Sequence, residues 1–262
     1  MPQLLVLDFD GVISDSLLEA YLLTWRIAGK IDPQLEGAGV RIPDLDNIHA
    51  FRDEYREHWE SFSRMVPFGN RAEDYLVIQR AVHMGKSIGT QEEFNSFCKT
   101  LEPSQLEEFH EEFYRERYHL AGHHWNGWIA LNKPYPGVME AIEALSLRFE
   151  LAVATSKDSR TVRSVLDSYG MDSLFGESHV LDKSMGGSKK AHLAALRDRL
   201  NFTYGEMTFI DDKVAHLIDC ADLGVRLYMA GWGYNSPQEE KLAASYDIPV
   251  LQIEELQSLS PR

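Results

Sequence analysis

One buried-type strand opens this chain, and no second one follows for about 130 residues. Residues 3–8 read Gln-Leu-Leu-Val-Leu-Asp, an apolar run that stops at a carboxylate. The run is apolar on both alternating faces, as in a parallel strand covered by helices on each side. From Asp15 to about Tyr135 the texture is helical instead. Stretches such as 16–29, 47–65, 71–85, 90–101 and 103–122 carry apolar or aromatic residues at three- and four-residue spacing, with charges between them. Thr90 ahead of Glu93 has the spacing of a capping box.

At Asn132 the rhythm switches to alternation of helix and strand. Pro136-Gly137 punctuates the change. The pattern predicts strands at 149–155, 178–181, 207–211, 225–229 and 249–253, with helices at 138–148, 159–169, 188–200 and 213–223 between them. Strand–helix alternation implies a doubly wound parallel sheet. The simplest topology is one α/β core, residues 1–15 and 135–262, interrupted by a helical insertion at 16–134.

The 262 residues suffice for a sizeable core. Forty-one acids against 26 Lys and Arg give a formal net charge of −15, which argues against nucleic acid or an anionic membrane as partner. Any anionic substrate must therefore be met by a metal ion or a few local cations. The two cysteines, Cys98 and Cys220, are far apart, so a disulfide framework is not expected and a reducing, cytoplasmic location is. The opening apolar run breaks at Asp8 and has no basic flank, so no signal peptide is expected, and no run of about 18 apolar residues predicts a membrane helix. Asn201-Phe202-Thr203 matches a glycosylation sequon and is read as chance. No signal sets an oligomeric state.

Ligands of open α/β sheets bind beyond the carboxyl ends of the strands. Those ends carry Asp8 and Asp10, then Thr155, Ser156 and Lys157, then Asp211 and Asp212, with Ser188, Lys189 and Lys190 opening a later helix. Each cluster has a bland reading. Asp-Xaa-Asp can be a turn with a helix cap, Asp211-Asp212 a helix N-cap, and either lysine a solvated charge. Their convergence on one sheet edge favours chemistry. Gly-Gly-Ser-Lys-Lys at 186–190 lacks the spacing of a phosphate-binding loop.

The segments Asp-Phe-Asp-Gly-Val-Ile-Ser-Asp-Ser at 8–16, Val-Ala-Thr-Ser-Lys at 153–157, a lysine opening a later helix and Thr-Phe-Ile-Asp-Asp at 208–212 together resemble the four motifs of the haloacid dehalogenase superfamily, in that order. Ala-Gly-Trp-Gly-Tyr-Asn-Ser at 230–236 resembles its phosphoglycolate phosphatase-like members. The resemblance covers 1–16 and about 134–262. It implies a Rossmann-like core with a helical cap domain inserted at 16–134.

It also implies a Mg²⁺-dependent phosphatase. Asp8 would be the nucleophile and Asp10 the acid and base. Thr155, with Ser156, would bind the phosphoryl group, and Lys189 would neutralise charge, though Lys190 remains open as the lysine that enters. Asp8, Asp10, Asp211 and Asp212 would hold the metal. The need for a cation follows from charge alone. Two like unit charges 4 Å apart repel by about 4 kcal/mol at an effective dielectric near 20, and a phosphomonoester dianion faces an attacking carboxylate. Oxygen ligands and phosphate suit Mg²⁺. Where many members carry an acid four residues after the metal-binding Asp, this chain has His216.

The expected substrate is a small phosphorylated metabolite, because a large cap restricts access. Arg71, in the loop after Pro-Phe-Gly-Asn, is the cap residue picked to contact it. Trp125, Trp128 and Tyr135 lie near the junction and are candidates for the same role. Trp25, Trp59 and Tyr75 are read as core, and His119, His123 and His124 as solvated rather than metal-binding. The alternatives are a phosphomutase on the same scaffold and a catalytically silent binding module. By resemblance, dehalogenases lack the second acid that Asp10 provides, and phosphonate hydrolases need a cap lysine in a context absent around Lys30, Lys86 and Lys99.

Overall fold

The computed structural model describes residues 3–35, 42–69, 71–186 and 188–261. The chain divides into two compact units, Met1–Asp15 with Lys133–Arg262, and Ser16–Asn132.

The second unit is helical: α1 (Leu17–Ile31), α2 (Ile48–Glu54), α3 (Arg56–Met65), α4 (Asp74–His83), α5 (Gln91–Cys98), α6 (Pro103–His123) and α7 (Trp125–Ile129). Helix α1 buries Leu22, Leu23, Ile27, Ala28 and Ile31 and packs against α4 and α6. The periodic stretch 47–65 is two helices, because Tyr55 leaves helical geometry at φ −101°, ψ 41°. Thr90 caps α5 by accepting the Glu93 N–H at 3.2 Å. The reciprocal half of the box goes one residue early, since the Glu93 carboxylate accepts the Gly89 N–H at 2.8 Å. Trp25, Trp59 and Tyr75 are half-buried in ring clusters. Tyr21 lies 5.0 Å from Trp59 and 6.2 Å from Trp25, and Tyr75 lies 5.7 Å from Phe113, centroid to centroid. His123 and His124 are exposed.

In the first unit, β1 (Gln3–Leu7) is followed by β2 (Ser14–Asp15), and the chain re-enters through β3 (Lys133–Pro134). Strands β2 and β3 pair antiparallel, Ser14 with Pro134 and Asp15 with Lys133. Lys133 and Pro134 therefore belong to this unit, two residues earlier than the sequence boundary. Then follow α8 (Val138–Ser146), β4 (Phe149–Ala154), α9 (Ser159–Ser168), β5 (Phe175–Leu181), α10 (Lys189–Leu200), β6 (Met207–Asp211), α11 (Val214–Asp219), β7 (Arg226–Ala230), α12 (Pro237–Ser245), β8 (Val250–Leu251) and α13 (Ile253–Leu256).

Six strands form one parallel sheet in the order β5-β4-β1-β6-β7-β8. Counted along the chain, these six run 3-2-1-4-5-6, the doubly wound order. Strand β1 sits at the centre, Leu5 facing Leu151 of β4 and Thr208 of β6, and all five of its residues are buried. That explains its two apolar faces. The edge strand β5 begins three residues earlier than expected because its middle, Gly176 to Ser178, is exposed and carries no apolar run. Helix α11 stops at Asp219 and is followed by a 3-10 turn, Ala221–Leu223, that ends on left-handed Gly224. The expected strand at 249–253 is only two residues long, because Gln252 and Glu255 cap each other and start α13. Helix α12 was not anticipated, although Ser236, Pro237 and Glu239 carry a complete capping-box signal for it.

Candidate active site

The chain direction reverses sides at β1, with β4 on one flank and β6 on the other. This is the switch point where open α/β sheets place their ligands. Asp8 follows β1 directly, Thr155 and Ser156 follow β4, and Asp211 and Asp212 close β6. The loop after β1 is tight. The Phe9 carbonyl accepts N–H groups from Val12 at 3.3 Å and from Ile13 and Ser14 at 2.9 Å.

Asp8 is nearly buried. One carboxylate oxygen accepts the Phe9 N–H at 2.7 Å, and the other lies 2.8 Å from Lys189 Nζ. Burial raises its pKa to about 6 despite Lys189, and the charge on Asp211 adds to the rise. Lys189 is 2% exposed, and its ammonium meets three acceptors: the Ala154 carbonyl at 2.6 Å, Asp8 Oδ2 at 2.8 Å and Asp211 Oδ2 at 3.2 Å. Burial alone would push its pKa down, but Asp211 and Asp8 outweigh this and raise it. Helix α10 decides which lysine enters. Its buried positions are Lys189, His192, Leu193 and Leu196, one face at helical spacing, while Lys190 is more than a third exposed and pairs with Asp222. That periodicity was available in the sequence.

Asp211 is fully buried. It accepts the Lys213 N–H at 2.9 Å and lies 3.0 Å from His216 Nδ1. Burial would raise its pKa, but His216 and Lys189 hold it well below the usual carboxylate range. The imidazole stands where an acid was expected. Asp212, equally buried, accepts the Tyr234 N–H at 2.7 Å through Oδ2, whereas its Oδ1 has no hydrogen-bond partner among the described residues. Burial pushes its pKa well up, with Asp211 and Asp8 adding to it. Two glycines make room for this carboxylate. A Cβ on Gly11 (φ +85°) would lie 2.2 Å from Asp212 Oδ2, and one on Gly233 would lie 2.3 Å from both the Asp212 Cβ and the Gly11 carbonyl. Trp232 Nε1 donates to the Val12 carbonyl at 3.0 Å and Tyr234 Oη to Asp15 at 2.8 Å, so the 230–236 loop is sewn onto the loop after β1. Tyr135 lies beside Asp15, Asp212 and Tyr234, and burial raises its phenol pKa strongly.

Asp10 lies 3.0 Å from Lys157 Nζ. Thr155 Oγ1 accepts the Lys157 N–H at 3.1 Å, and the Thr155 N–H donates to the Leu181 carbonyl. Lys157, His216, Tyr234 and Gly233 are the site residues that reading the sequence left without a role. Arg71 belongs to the helical unit, where it is exposed and pairs with Glu73 at 3.1 Å. Trp128, weighed as a cleft residue, is 1% exposed and donates to Glu19 at 2.7 Å.

A divalent cation fits this donor set. Asp8, Asp211 and His216 bring one ligand atom each within 4.8 Å of one another, a set that could hold a metal ion. The Lys189 ammonium already bonds both acids of that trio. The buried, unpartnered Oδ1 of Asp212 is the oxygen that lacks a cation or donor.

The family model of haloacid dehalogenase-like hydrolases matches residues 2–218. The chain belongs to this family. Two Haemophilus influenzae proteins named phosphoglycolate phosphatase are similar to it, at 32% and 31% identity over 123 residues. Each match spans 42% of this chain and 51% of the relative, so the chain spans about half the length of the curated relatives it matches. Among solved structures, a haloacid dehalogenase-like family protein from Streptococcus pneumoniae aligns at TM-score 0.62 and 15% identity. A predicted phosphoglycolate phosphatase from Haemophilus somnus aligns at 0.57 and 19%. Each alignment covers 98% of this chain and 97% of the other. At those identities the likeness is one of fold, and it agrees with the Rossmann-like sheet order. No described helix is long and apolar enough to cross a membrane.

Proposed function

We propose that this haloacid dehalogenase-like hydrolase is a phosphatase that cleaves a small phosphorylated metabolite through an aspartyl-phosphate on Asp8. The observation that carries the reading is the Asp8 carboxylate, fixed at the end of β1 by the Phe9 N–H and Lys189, with Asp10 two residues on and Asp211 and Asp212 at the next strand end. The names of the H. influenzae relatives make phosphoglycolate the first ester to try, with sugar phosphates next. The helical unit is read as the cap.

In the first half-reaction an Asp8 oxygen attacks phosphorus, and the bond from phosphorus to the substrate oxygen breaks. Asp10, protonated, gives its proton to that oxygen, and the alcohol leaves. In the second, Asp10 takes a proton from water while the water oxygen attacks the phosphorus. The bond from Asp8 to phosphorus breaks, releasing inorganic phosphate and restoring both acids. Lys189 keeps positive charge beside Asp8 throughout, and Thr155 donates from its hydroxyl to a phosphoryl oxygen, with Ser156 beside it. Asp8, the Asp10 backbone carbonyl and Asp212 would hold Mg²⁺, with Asp211 bound directly or through water. Bound there, the ion would offset the repulsion between the phosphate dianion and the carboxylates.

The test is phosphate release from 4-nitrophenyl phosphate and a panel of metabolite phosphates, with and without Mg²⁺. Metal-dependent release by the wild type, lost in Asp8→Asn by about 10³-fold or more, is the expected result. Release that survives Asp8→Asn would overturn the assignment of the nucleophile. Turnover of a sugar phosphate without net phosphate release would favour a mutase.

A further inference from the structure

We propose that Lys157 is a positioning residue for the proton donor: it tethers the Asp10 carboxylate so that the acid stays aimed at the leaving-group oxygen. This rests on the phosphatase reading and goes beyond it, because that reading leaves Lys157 without a role.

Four observations carry the proposal. The Lys157 side chain is 1% exposed, yet its ammonium lies 3.0 Å from Asp10 Oδ1, a carboxylate that is itself 30% exposed. A buried lysine is costly unless it is paired, so its place here needs a reason. Second, the other buried lysine is fully engaged. An ammonium has three N–H groups, and those of Lys189 meet Ala154, Asp8 and Asp211. The two lysines therefore divide the acids between them, Lys189 with Asp8 and Asp211, and Lys157 with Asp10. Third, the Lys157 backbone is fixed, its N–H bonded to Thr155 Oγ1 at 3.1 Å, so the tether hangs from the same turn that would hold the phosphoryl group. Fourth, its Nζ lies 5.9 Å from the centre of the Phe9 ring, between the two catalytic acids in sequence, which limits where the ammonium can move.

A tether of this kind has a signature that a structural lysine lacks. Proton donation matters for an alkoxide leaving group and little for 4-nitrophenolate, which leaves without help. In Lys157→Met and Lys157→Gln, kcat/KM for the best alkyl phosphate of the panel, which reports the transfer to Asp8 and excludes the hydrolysis step common to both esters, should fall about tenfold or more relative to kcat/KM for 4-nitrophenyl phosphate. Because the readout is a ratio within one preparation, loss of folded protein cancels. Asp10→Asn should show the same preference, and Asp10→Asn with Lys157→Met should be no worse than Asp10→Asn alone. Equal loss of kcat/KM on both substrates would overturn the proposal in favour of a structural role. A rise in KM at constant kcat would overturn it in favour of direct substrate contact, and multiplicative loss in the double variant would show that the two residues act independently. A wild type inactive on every ester, with or without Mg²⁺, would instead sink the phosphatase reading and this inference with it.

Discussion

Two buried carboxylates, Glu19 in the helical unit and Asp212 in the sheet unit, are satisfied to different degrees. In the helical unit Glu19 is completely buried and both of its oxygens are bonded. Arg117 donates to both of its oxygens, Nε at 2.9 Å and Nη2 at 3.0 Å, and Trp128 Nε1 adds a third bond at 2.7 Å. The guanidinium in turn lies 4.8 Å from the centre of the Phe113 ring. In the sheet unit Asp212 is just as buried, but one of its oxygens has no partner among the described residues, and Asp8 and Asp211 add like charge to it. A buried acid with both oxygens bonded holds a fold together. One left short costs stability until a donor or a cation reaches it.

The same change, acid to amide, therefore has opposite expected signs in the two places. Glu19→Gln leaves Arg117 buried without its counter-charge and should lower stability by about 3–5 kcal/mol, read as a shift in a denaturant midpoint. Equal stability of the variant would show that Arg117 finds water or another partner, and the contrast would collapse. Gly233→Ala comes next. Its Cβ would press on the Asp212 Cβ and the Gly11 carbonyl, both at 2.3 Å, so a loss of about 1–3 kcal/mol is expected together with weaker metal binding. Asp212→Asn should instead raise metal-free stability, by about 1 kcal/mol, because the amide carries no charge to desolvate. In the same melts the wild type should gain Tm as Mg²⁺ is added, and Asp212→Asn should not. A variant less stable than wild type without metal would mean that the carboxylate is satisfied after all.

The smallest effect is one of pH. Burial lowers the pKa of His58 from 6.5 to about 4 in the folded helical unit, where Tyr21 Oη lies 3.0 Å from its Nδ1. Across that window the unfolded chain binds the proton more tightly. The neutral histidine's contribution is thus complete above about 6.5, falls as pH drops toward 4, and levels off below it. His58→Gln should flatten part of the acid-side fall in Tm between those values. An unchanged slope would place the effect elsewhere. His192 in the sheet unit is shifted the same way, to about 4, chiefly by burial and then by the Lys189 charge, so its own variant separates the two contributions.

Much of this site was legible because strand ends are legible. An apolar run that stops at Asp8, and another that stops at Asp211, place both acids at the carboxyl edge of a parallel sheet before any coordinates are known. The buried face of α10 was equally readable, since Lys189 falls in phase with His192, Leu193 and Leu196 and Lys190 does not. Weak signals failed where burial is partial. The exposed middle of β5 hid its first residues, and Tyr55 broke a stretch whose apolar spacing continued through it. Arg71 was chosen for its loop, and sequence carries no measure of what a loop arginine meets. In the structure it meets Glu73.

By itself, then, the sequence determined that one central strand is severed from its sheet by a helical insertion, and which acids lie at the strand ends. Both follow from periodicity and from where apolar runs stop, which are local properties. Only the tertiary structure decided that Lys157 faces Asp10 across 147 residues, and that Tyr234 closes on Asp212 while Trp232 reaches Val12 across 220 residues. Those pairings depend on which strands become neighbours and on the course of the loops that join them, and chain spacing does not encode a distance between residues on separate strands.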